Sequence, residues 1–229
     1  MKITVLQNIL AANHQIAEET RNDLRNMNVV AVNIMSSPGA GKTAVLEQTL
    51  TALQGRISCG VIEGDITSTL DAARIAKFNV PVVQINTESF GGECHLSATV
   101  VRQTLSALPL NQIRLLFIEN VGNLVCPAEF DIGENAKVVV FSLPEGEDKP
   151  LKYPLMFRES KMCLLNKVDL APALGVAIEQ YEENVHRVNP ALPIIRISAR
   201  TGEGVDHWTA WLEELVATQS TQFASETRR

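Results

Sequence analysis

Short runs of apolar residues alternate along this chain with amphipathic stretches of helical spacing. Runs of about four to eight residues rich in Val, Ile and Leu are typical of strands buried on both faces of a parallel sheet. The first run is Val29–Met35, and a helical pattern starts near Ala44. Further strands are predicted at residues 57–62, 80–85, 113–119, 137–143, 162–165 and 193–197. This alternation predicts an α/β fold, a mostly parallel sheet with helices on both faces.

The same pattern divides the chain into three parts. Residues 1–28 predict an amphipathic helix that is either packed on the domain or swapped with a partner, with apolar positions at Ile3, Leu6, Ile9, Leu10, Ile16 and Leu24. Residues 29–217 predict one domain, whose later helices fall near 96–108, 177–188 and 204–217. Residues 218–229 are polar, and we expect them to form a disordered tail.

The segment SSPGAGKT at residues 36–43 joins the first strand to the first helix of the domain. Glycines in such a loop let backbone N–H groups converge on a polyphosphate, and the helix N-terminus adds positive charge. Lys42 is placed to reach the β- and γ-phosphates, and the Thr43 hydroxyl to hold Mg²⁺. The usual P-loop pattern has glycine where this chain has Ser36. The predicted phosphate-binding residues are Pro38, Gly39, Ala40, Gly41, Lys42, Thr43 and Ala44.

Carboxylates follow two of the predicted strands. Asp65 comes after the second strand and Glu119 closes the fourth. Ligands bind just beyond the strand ends of an open parallel sheet. We therefore predict that Thr43, Asp65 and Glu119 hold Mg²⁺ and its waters, and that Lys42, Asp65 and Glu119 serve catalysis. Asp65 has an alternative role as the cap of a helix beginning near Thr67.

The sequence Asn166-Lys167-Val168-Asp169 ends the sixth predicted strand and indicates guanine recognition. The Asp169 carboxylate can accept hydrogen bonds from guanine N1–H and the 2-amino group, whereas adenine would leave the buried charge unpaired. We expect Asn166 to brace the base and the neighbouring loop, and the Lys167 stem to cover the base. The Ala199 N–H is expected to meet guanine O6. The end of the last strand completes this predicted site with Ser198, Ala199 and Arg200.

Four cysteines form two groups. Cys59 and Cys163 lie inside predicted strands, and we expect them in the core. Cys94 lies with His95 after a glycine pair at a helix start, where the dipole favours thiolate, and Cys126 lies on a loop. Two thiolates and an imidazole suit Zn²⁺ or Ni²⁺. The spacing lacks a CxxC pair, so small buried thiols remain the alternative.

Composition narrows the possible partners. The chain has 229 residues, 45% of them hydrophobic and 20% charged, and a net charge of -6. This acidic balance argues against nucleic acid, whose binding requires a basic surface. No apolar run approaches the roughly 20 residues of a membrane-spanning helix. We expect a cytoplasmic protein without a membrane partner, and cysteines that are thiols or ligands rather than disulfides.

Six segments together resemble the HypB hydrogenase maturation GTPases, which are relatives of the UreG and CobW-type GTPases. The resemblance covers essentially the whole chain, and that family tolerates serine at the first loop position. The segments are SSPGAGKT at 36–43, EGDI at 63–66, GGECHL at 91–96, IENVGNLVCP at 118–127, NKVDL at 166–170 and SARTGEG at 198–204.

This resemblance implies a GTPase that handles nickel for [NiFe]-hydrogenase maturation. It further implies that Cys94, His95 and Cys126 bind nickel or zinc between two protomers, and that GTP promotes a homodimer. The implied partners are GTP and GDP, a hydrogenase large subunit and a nickel-carrying accessory protein. Two family features are missing: the chain begins MKITVLQN without an N-terminal cysteine motif, and it has only four histidines. We therefore do not expect it to store nickel.

The short distance along the chain from Glu119 to Cys126 suggests a link between the two predicted sites. Gly122 lets the backbone approach the γ-phosphate, so we hypothesise that GTP hydrolysis alters the metal site through this loop. Two other functions stay open. One is a P-loop kinase that uses ATP on a small molecule, and the other is a GTP-binding metal sensor or scaffold with little hydrolysis.

Overall fold

The computed structural model describes the backbone of residues 2–65, 70–90 and 94–226, and the side chains of residues 11–65, 71–88 and 94–223. Seven strands form one sheet in the order β3-β2-β4-β1-β5-β6-β7, and all their pairings are parallel. The predicted parallel α/β fold is confirmed. The strands are β1 (Val30–Met35), β2 (Cys59–Asp65), β3 (Val82–Asn86), β4 (Leu115–Glu119), β5 (Ala136–Ser142), β6 (Met162–Asn166) and β7 (Ile194–Arg196).

Helices cover both faces of this sheet. Two short helices occupy residues 149–152 and 154–159. In the described part of the chain the helices are α1 (Lys2–Asn26), α2 (Lys42–Leu53), α3 (Leu70–Ile75), α4 (Ala98–Leu105), α5 (Cys126–Glu129), α6 (Lys149–Lys152), α7 (Pro154–Glu159), α8 (Ala171–Leu174), α9 (Ile178–Val188) and α10 (Val205–Glu226).

Strand β1 lies at the centre of the sheet, and all six of its residues are buried. Successive side chains of a strand point to opposite faces. Val32 accordingly packs in one cluster with residues of α2 and α10. Ala31 packs in another with Leu24 of α1 and Val101 of α4. Burial on both faces explains why this strand is apolar at every position except Asn33.

The N-terminal helix packs on the domain that follows it. Leu24 is buried in the cluster beside β1, and Arg21 makes a bidentate ion pair with Asp131, at 2.7 Å to each carboxylate oxygen. Arg102 of α4 makes an ion pair with Glu19 of α1. No helix of the described residues combines the length and apolar character needed to cross a bilayer.

The last helix differs from the prediction because it continues beyond residue 217 to Glu226. Leu212, Val216 and Phe223 recur at helical spacing, and Phe223 is buried in the cluster that contains Trp208. One apolar side chain late in a polar segment thus keeps the helix on the domain, where we expected a disordered tail. Arg114 also donates to Ser220 Oγ at 2.8 Å.

Some predictions concern residues outside the described part of the chain. They are the side chains of Ile3, Leu6, Ile9 and Leu10, the start of a helix near Thr67 and the glycine pair Gly91 and Gly92.

Candidate functional site

The phosphate loop leaves β1 at the centre of the sheet and enters α2 through Gly41. Gly41 has a φ of 98°, in the left-handed region that favours glycine. A Cβ there would lie 2.6 Å from Asn166 Nδ2. Asn166 needs this space because its Nδ2 donates to the Ala40 carbonyl at 2.9 Å. Gly41 is therefore required both by the turn and by the close approach of the Asn166 side chain.

Ser36, which replaces the usual first glycine of the loop, is buried and hydrogen-bonded on both sides. Its hydroxyl donates to the Ser37 carbonyl at 2.6 Å and accepts from Lys42 Nζ at 3.0 Å. The serine thus holds the lysine side chain along the loop. Lys167 Nζ, from the predicted guanine motif, donates to the Gly39 carbonyl at 2.7 Å.

Two buried carboxyl groups lie beside Thr43. Thr43 Oγ1 donates to Glu119 Oε1 at 2.8 Å, and Glu63 is in register with Glu119 across β2 and β4. Burial and the Glu119 charge raise the pKa of Glu63 to about 10. Burial also raises the pKa of Glu119, against the opposing charge of Lys42.

These carboxyl groups are suited to a hard cation. In the described part of the chain, Glu63 Oε2 and Glu119 Oε2 are buried without a hydrogen-bond partner. Buried carboxylate oxygens and a threonine hydroxyl are oxygen donors of the type Mg²⁺ prefers. We did not predict Glu63 from the sequence, where Asp65 was chosen as the strand end. Its proximity to Glu119 follows from strand register, which the sequence does not reveal.

A pocket of about 390 Å³ contains the phosphate loop and the acidic strand ends. Most of the predicted phosphate and Mg²⁺ residues line it, including half-buried Asp65, whereas Ala40 is buried beneath the loop. Asp71 and Arg74, which were not predicted, also line it. The lining residues from the prediction are Pro38, Gly39, Gly41, Lys42, Thr43, Ala44, Asp65, Glu119 and Gly122.

A second pocket of about 370 Å³ adjoins the first, since Gly41 and Ala44 line both. It contains the predicted guanine residues Asn166, Lys167, Asp169, Ala199 and Arg200, together with Leu170. Ser198 is buried outside the lining. The structure therefore brings the two motifs, far apart in sequence, to one continuous depression at the carboxyl edge of the sheet.

The polar groups of this second pocket are partly bonded to each other. Asp169 Oδ1 accepts from Ser198 Oγ at 2.7 Å, and Asp169 Oδ2 lies 3.1 Å from Arg200 Nε. The Ala199 N–H, which we expected to meet guanine O6, donates to Asn166 Oδ1 at 3.2 Å. Asn166 therefore braces the phosphate loop and the last strand end at once.

Cys94, His95 and Cys126, which the sequence places on two different loops, form one cluster. Their ligand atoms lie within 4.8 Å of one another, and the two sulfur atoms are 2.9 Å apart. The His95 ring stacks on Phe130 with 4.1 Å between centroids. A hydrogen bond with the Cys94 thiol, aided by burial, raises the pKa of Cys126 to about 11. Two sulfurs and an imidazole this close together are a donor set for Zn²⁺ or Ni²⁺.

The other two cysteines are buried in β2 and β6, as predicted. Burial raises the pKa of Cys59 to about 12 and that of Cys163 well above its usual range. These thiols belong to the apolar core.

Two glycines connect the metal cluster closely to the phosphate pocket. A Cβ on Gly122 would lie 3.1 Å from the backbone of Pro38, so this loop rests against the phosphate loop. A Cβ on Gly64 would lie 2.8 Å from the side chain of Leu96, which follows His95. Residues next to the cluster in sequence are therefore packed against residues that line the phosphate pocket.

A phosphate loop leaving the central strand of a parallel sheet, with an acidic strand end bonded to its threonine, defines a P-loop nucleotide-binding protein. The family model described as "CobW/HypB/UreG, nucleotide-binding domain" matches residues 30–196. The chain belongs to this family, and its similarity to HypB hydrogenase maturation factors over most of its length assigns it to the HypB branch.

Two curated relatives illustrate this similarity. The hydrogenase maturation factor HypB of Escherichia coli strain K12 is 48% identical over 205 residues, covering 90% of this chain and 70% of the relative. The probable hydrogenase maturation factor HypB of Methanocaldococcus jannaschii is 38% identical over 214 residues, covering 93% and 96%.

Two solved structures agree with the fold. HypB from Archaeoglobus fulgidus superposes with a TM-score of 0.83 at 38% identity, covering 90% of this chain and 100% of that one. HypB from Helicobacter pylori, solved in complex with nickel, gives a TM-score of 0.85 at 32% identity and covers 91% and 97%.

Proposed function

We propose that this protein hydrolyses GTP to GDP and phosphate and uses the cycle to deliver nickel during maturation of a [NiFe]-hydrogenase. The observation that carries the proposal is the cysteine–histidine cluster at the end of the loop that begins at Glu119, beside the phosphate pocket. The names of the relatives and the nickel complex of one of them support it.

Hydrolysis in this pocket would depend on positioning and charge neutralisation. The loop N–H groups and Lys42 bind the β- and γ-phosphates. Thr43, Glu119 and Glu63 would hold Mg²⁺, which when bound neutralises phosphate charge and orders water. Asp65, on the rim of the same pocket, is the carboxylate we propose to orient the attacking water.

Base recognition would come from the second pocket. Asp169 accepts from guanine N1–H and the 2-amino group, and Ser198 and Arg200 hold its carboxylate in place. ATP presents an acceptor at the equivalent ring nitrogen, so it would leave Asp169 unpaired. This mismatch disfavours the alternative of an ATP-dependent small-molecule kinase.

The metal cargo would bind to Cys94, His95 and Cys126. Three donors from one chain leave a four-coordinate ion one ligand short. We therefore propose that a second protomer approaches this face in the GTP-bound state and that the ion is held between two copies. Both Ni²⁺ and Zn²⁺ suit the donors, and the proposal assigns Ni²⁺ as the physiological cargo.

This function implies further partners and a location. We propose that a nickel-carrying accessory protein loads the cluster, that a hydrogenase large subunit receives the metal, and that both steps occur in the cytoplasm. Release would follow hydrolysis, because the loop from Glu119 to Cys126 would lose its contact with the γ-phosphate.

Single-turnover phosphate release with Mg²⁺ tests the reaction. We expect GTP to be hydrolysed and ATP to be hydrolysed at least tenfold more slowly. Asp169→Asn should weaken GTP binding roughly 5- to 150-fold, the effect of about 1–3 kcal/mol for an unmatched buried polar group. The same variant should gain affinity for xanthosine triphosphate, whose 2-oxo group accepts from the new amide. Equal turnover of both nucleotides would refute guanine specificity, and bound but unhydrolysed GTP would favour a sensor or scaffold.

Equilibrium dialysis tests the metal site. Wild type should bind Ni²⁺ and Zn²⁺, and Cys94→Ala should lose most of this affinity while its GDP affinity is unchanged. Measuring the molecular mass with GDP and with a non-hydrolysable GTP analogue shows whether the dimer depends on the nucleotide. Unchanged metal binding by Cys94→Ala would remove the cluster from the mechanism.

A further inference from the structure

Asn120 is a buried residue directly after β4, between the two proposed sites. Its side chain is 1% exposed. Asn120 Oδ1 accepts from the N–H of Leu96 at 3.1 Å and from the N–H of Val121 at 3.0 Å. Its Nδ2 donates to Asn33 Oδ1 at 3.2 Å. The amide therefore joins three separate segments of the chain.

The two N–H groups that share this oxygen belong to two different loops, one beside each proposed site. Leu96 follows the metal-cluster residue His95, and Val121 precedes Gly122, which rests against the phosphate loop. A shift of the Gly122 segment relative to the Cys94–His95 segment lengthens or bends at least one of the two hydrogen bonds. A single acceptor atom thus fixes the distance between the loops.

The other end of Asn120 is anchored in the sheet. Its backbone N–H donates to the Ile34 carbonyl of β1 at 2.9 Å. Asn33 Nδ2, beyond the Asn120 amide, lies 3.4 Å from Glu134 Oε1. Buried polar groups are costly unless they are bonded. This chain of bonds therefore favours one arrangement of the two loops over many similar ones.

We propose that Asn120 is the positioning residue that couples the phosphate pocket to the metal cluster, by holding the Leu96 and Val121 backbones on one amide oxygen. The inference rests on the proposed function, because it assigns the residue through which nucleotide state changes metal affinity. Asn120 lines the phosphate pocket but lies outside the cluster, so it acts on the metal only through the loop.

Asn13 of α1 offers a matched control. Its Oδ1 accepts from the N–H of Ala98 at 3.1 Å, and its Nδ2 donates to the Asp131 carbonyl at 2.7 Å. Asn13 therefore holds the same segment as Asn120. It does so from α1 and at Ala98, two residues after Leu96. Asn13 does not line the phosphate pocket. Removing it should loosen the metal loop without cutting the link to the nucleotide.

The experiment compares Ni²⁺ affinity in two nucleotide states on the full chain. Competition with a chromophoric chelator gives the affinity with Mg²⁺-GDP and with Mg²⁺ and a non-hydrolysable GTP analogue. The ratio of the two affinities is the coupling factor, which for coupled sites is typically about 5- to 150-fold. The proteins are wild type, Asn120→Ala, Asn120→Asp and Asn13→Ala, each checked for folding by circular dichroism and each measured at saturating nucleotide.

We expect wild type to have a ratio of at least fivefold, and Asn120→Ala to bring it within twofold of unity. Asn120→Asp retains the acceptor oxygen and, as a buried neutral carboxyl group, can still donate to Asn33 Oδ1, so it should preserve most of the ratio. Asn13→Ala should lower affinity in both states by a similar factor and keep the ratio. If Asn120→Ala does not fold, Asn120→Ser replaces it, because the shorter serine side chain cannot accept from the Leu96 N–H in the same position.

Three results would overturn the inference. A wild-type ratio near unity would show that the coupling in the proposed function is absent, and the role of Asn120 would fall with it. A wild-type ratio that Asn120→Ala retains would overturn the role of Asn120 alone and leave the proposed function intact. Equal loss of the ratio in Asn120→Ala and Asn13→Ala would indicate general loosening of the metal loop rather than a specific link.

Discussion

Replacing Glu63 by glutamine should make the free energy of unfolding of this protein less dependent on pH. Glu63 is 2% exposed and in register with the equally buried Glu119. Burial and this neighbouring charge raise its pKa from 4.5 to about 10. Between these pH values the folded protein keeps a proton that the unfolded chain has released. Stability must therefore fall as pH rises through this window.

The size of the effect follows from the width of the window. One pH unit corresponds to about 1.4 kcal/mol for one proton. At pH 7, which is two and a half units above the free carboxyl pKa of 4.5, wild type should have lost about 3 kcal/mol relative to acidic conditions. Glutamine has the same shape and needs no extra proton. The free energy of unfolding of Glu63→Gln should therefore exceed that of wild type by an amount that grows by about 1.4 kcal/mol per pH unit.

Urea denaturation at pH 6, 7 and 8 without divalent cations measures this difference. Glu182→Gln on the surface serves as a control for the loss of one carboxylate, although it also weakens an ion pair with Arg196. Parallel stability curves for Glu63→Gln and wild type would refute a retained proton on Glu63.

Mg²⁺-GDP binding should also release protons from wild type, because a cation favours the ionised carboxylate. Calorimetry in buffers of different ionisation enthalpy detects this release.

Two other substitutions test the phosphate pocket and the cysteine–histidine cluster separately. Gly41→Ala should weaken GDP binding at least tenfold, because its φ of 98° is strained for alanine and its Cβ would displace Asn166. Gly175→Ala, at a φ of 65° with open space around it, controls for backbone strain alone. Phe130→Ala removes the ring stacked on His95 and should weaken Ni²⁺ binding about 2- to 10-fold. GDP affinity should not change, and an effect on both ligands would contradict a local role for Phe130.

Much of the fold was readable from the sequence because strands buried on both faces give continuous apolar runs. The runs at 29–35 and 137–143 predicted β1 and β5 to within a residue. The end of α10 at Glu226 could not be predicted in this way. Phe223 is a single apolar residue in a polar segment, and its burial depends on the surface that the rest of the domain offers.

The residues that line the two pockets could be predicted where a single motif contains most of them. The phosphate loop and Asn166-Lys167-Val168-Asp169 are such motifs. Glu63 and Asn120 were not predicted, because their roles depend on which strand lies beside which. The metal cluster was intermediate, since the residue types suggested a site, but only the fold brings Cys94 to Cys126.

Strand β2 carries a constraint from each of the two sites on adjacent residues. Glu63 points towards Glu119 in the phosphate pocket, while Gly64 leaves room for Leu96 beside the metal cluster. A shift of this strand by one residue would exchange the faces and place a glutamate against Leu96. The cluster of Cys94, His95 and Cys126 could therefore not be transferred to another P-loop protein through these three residues alone. The recipient would also need a glycine at this position and the same strand register.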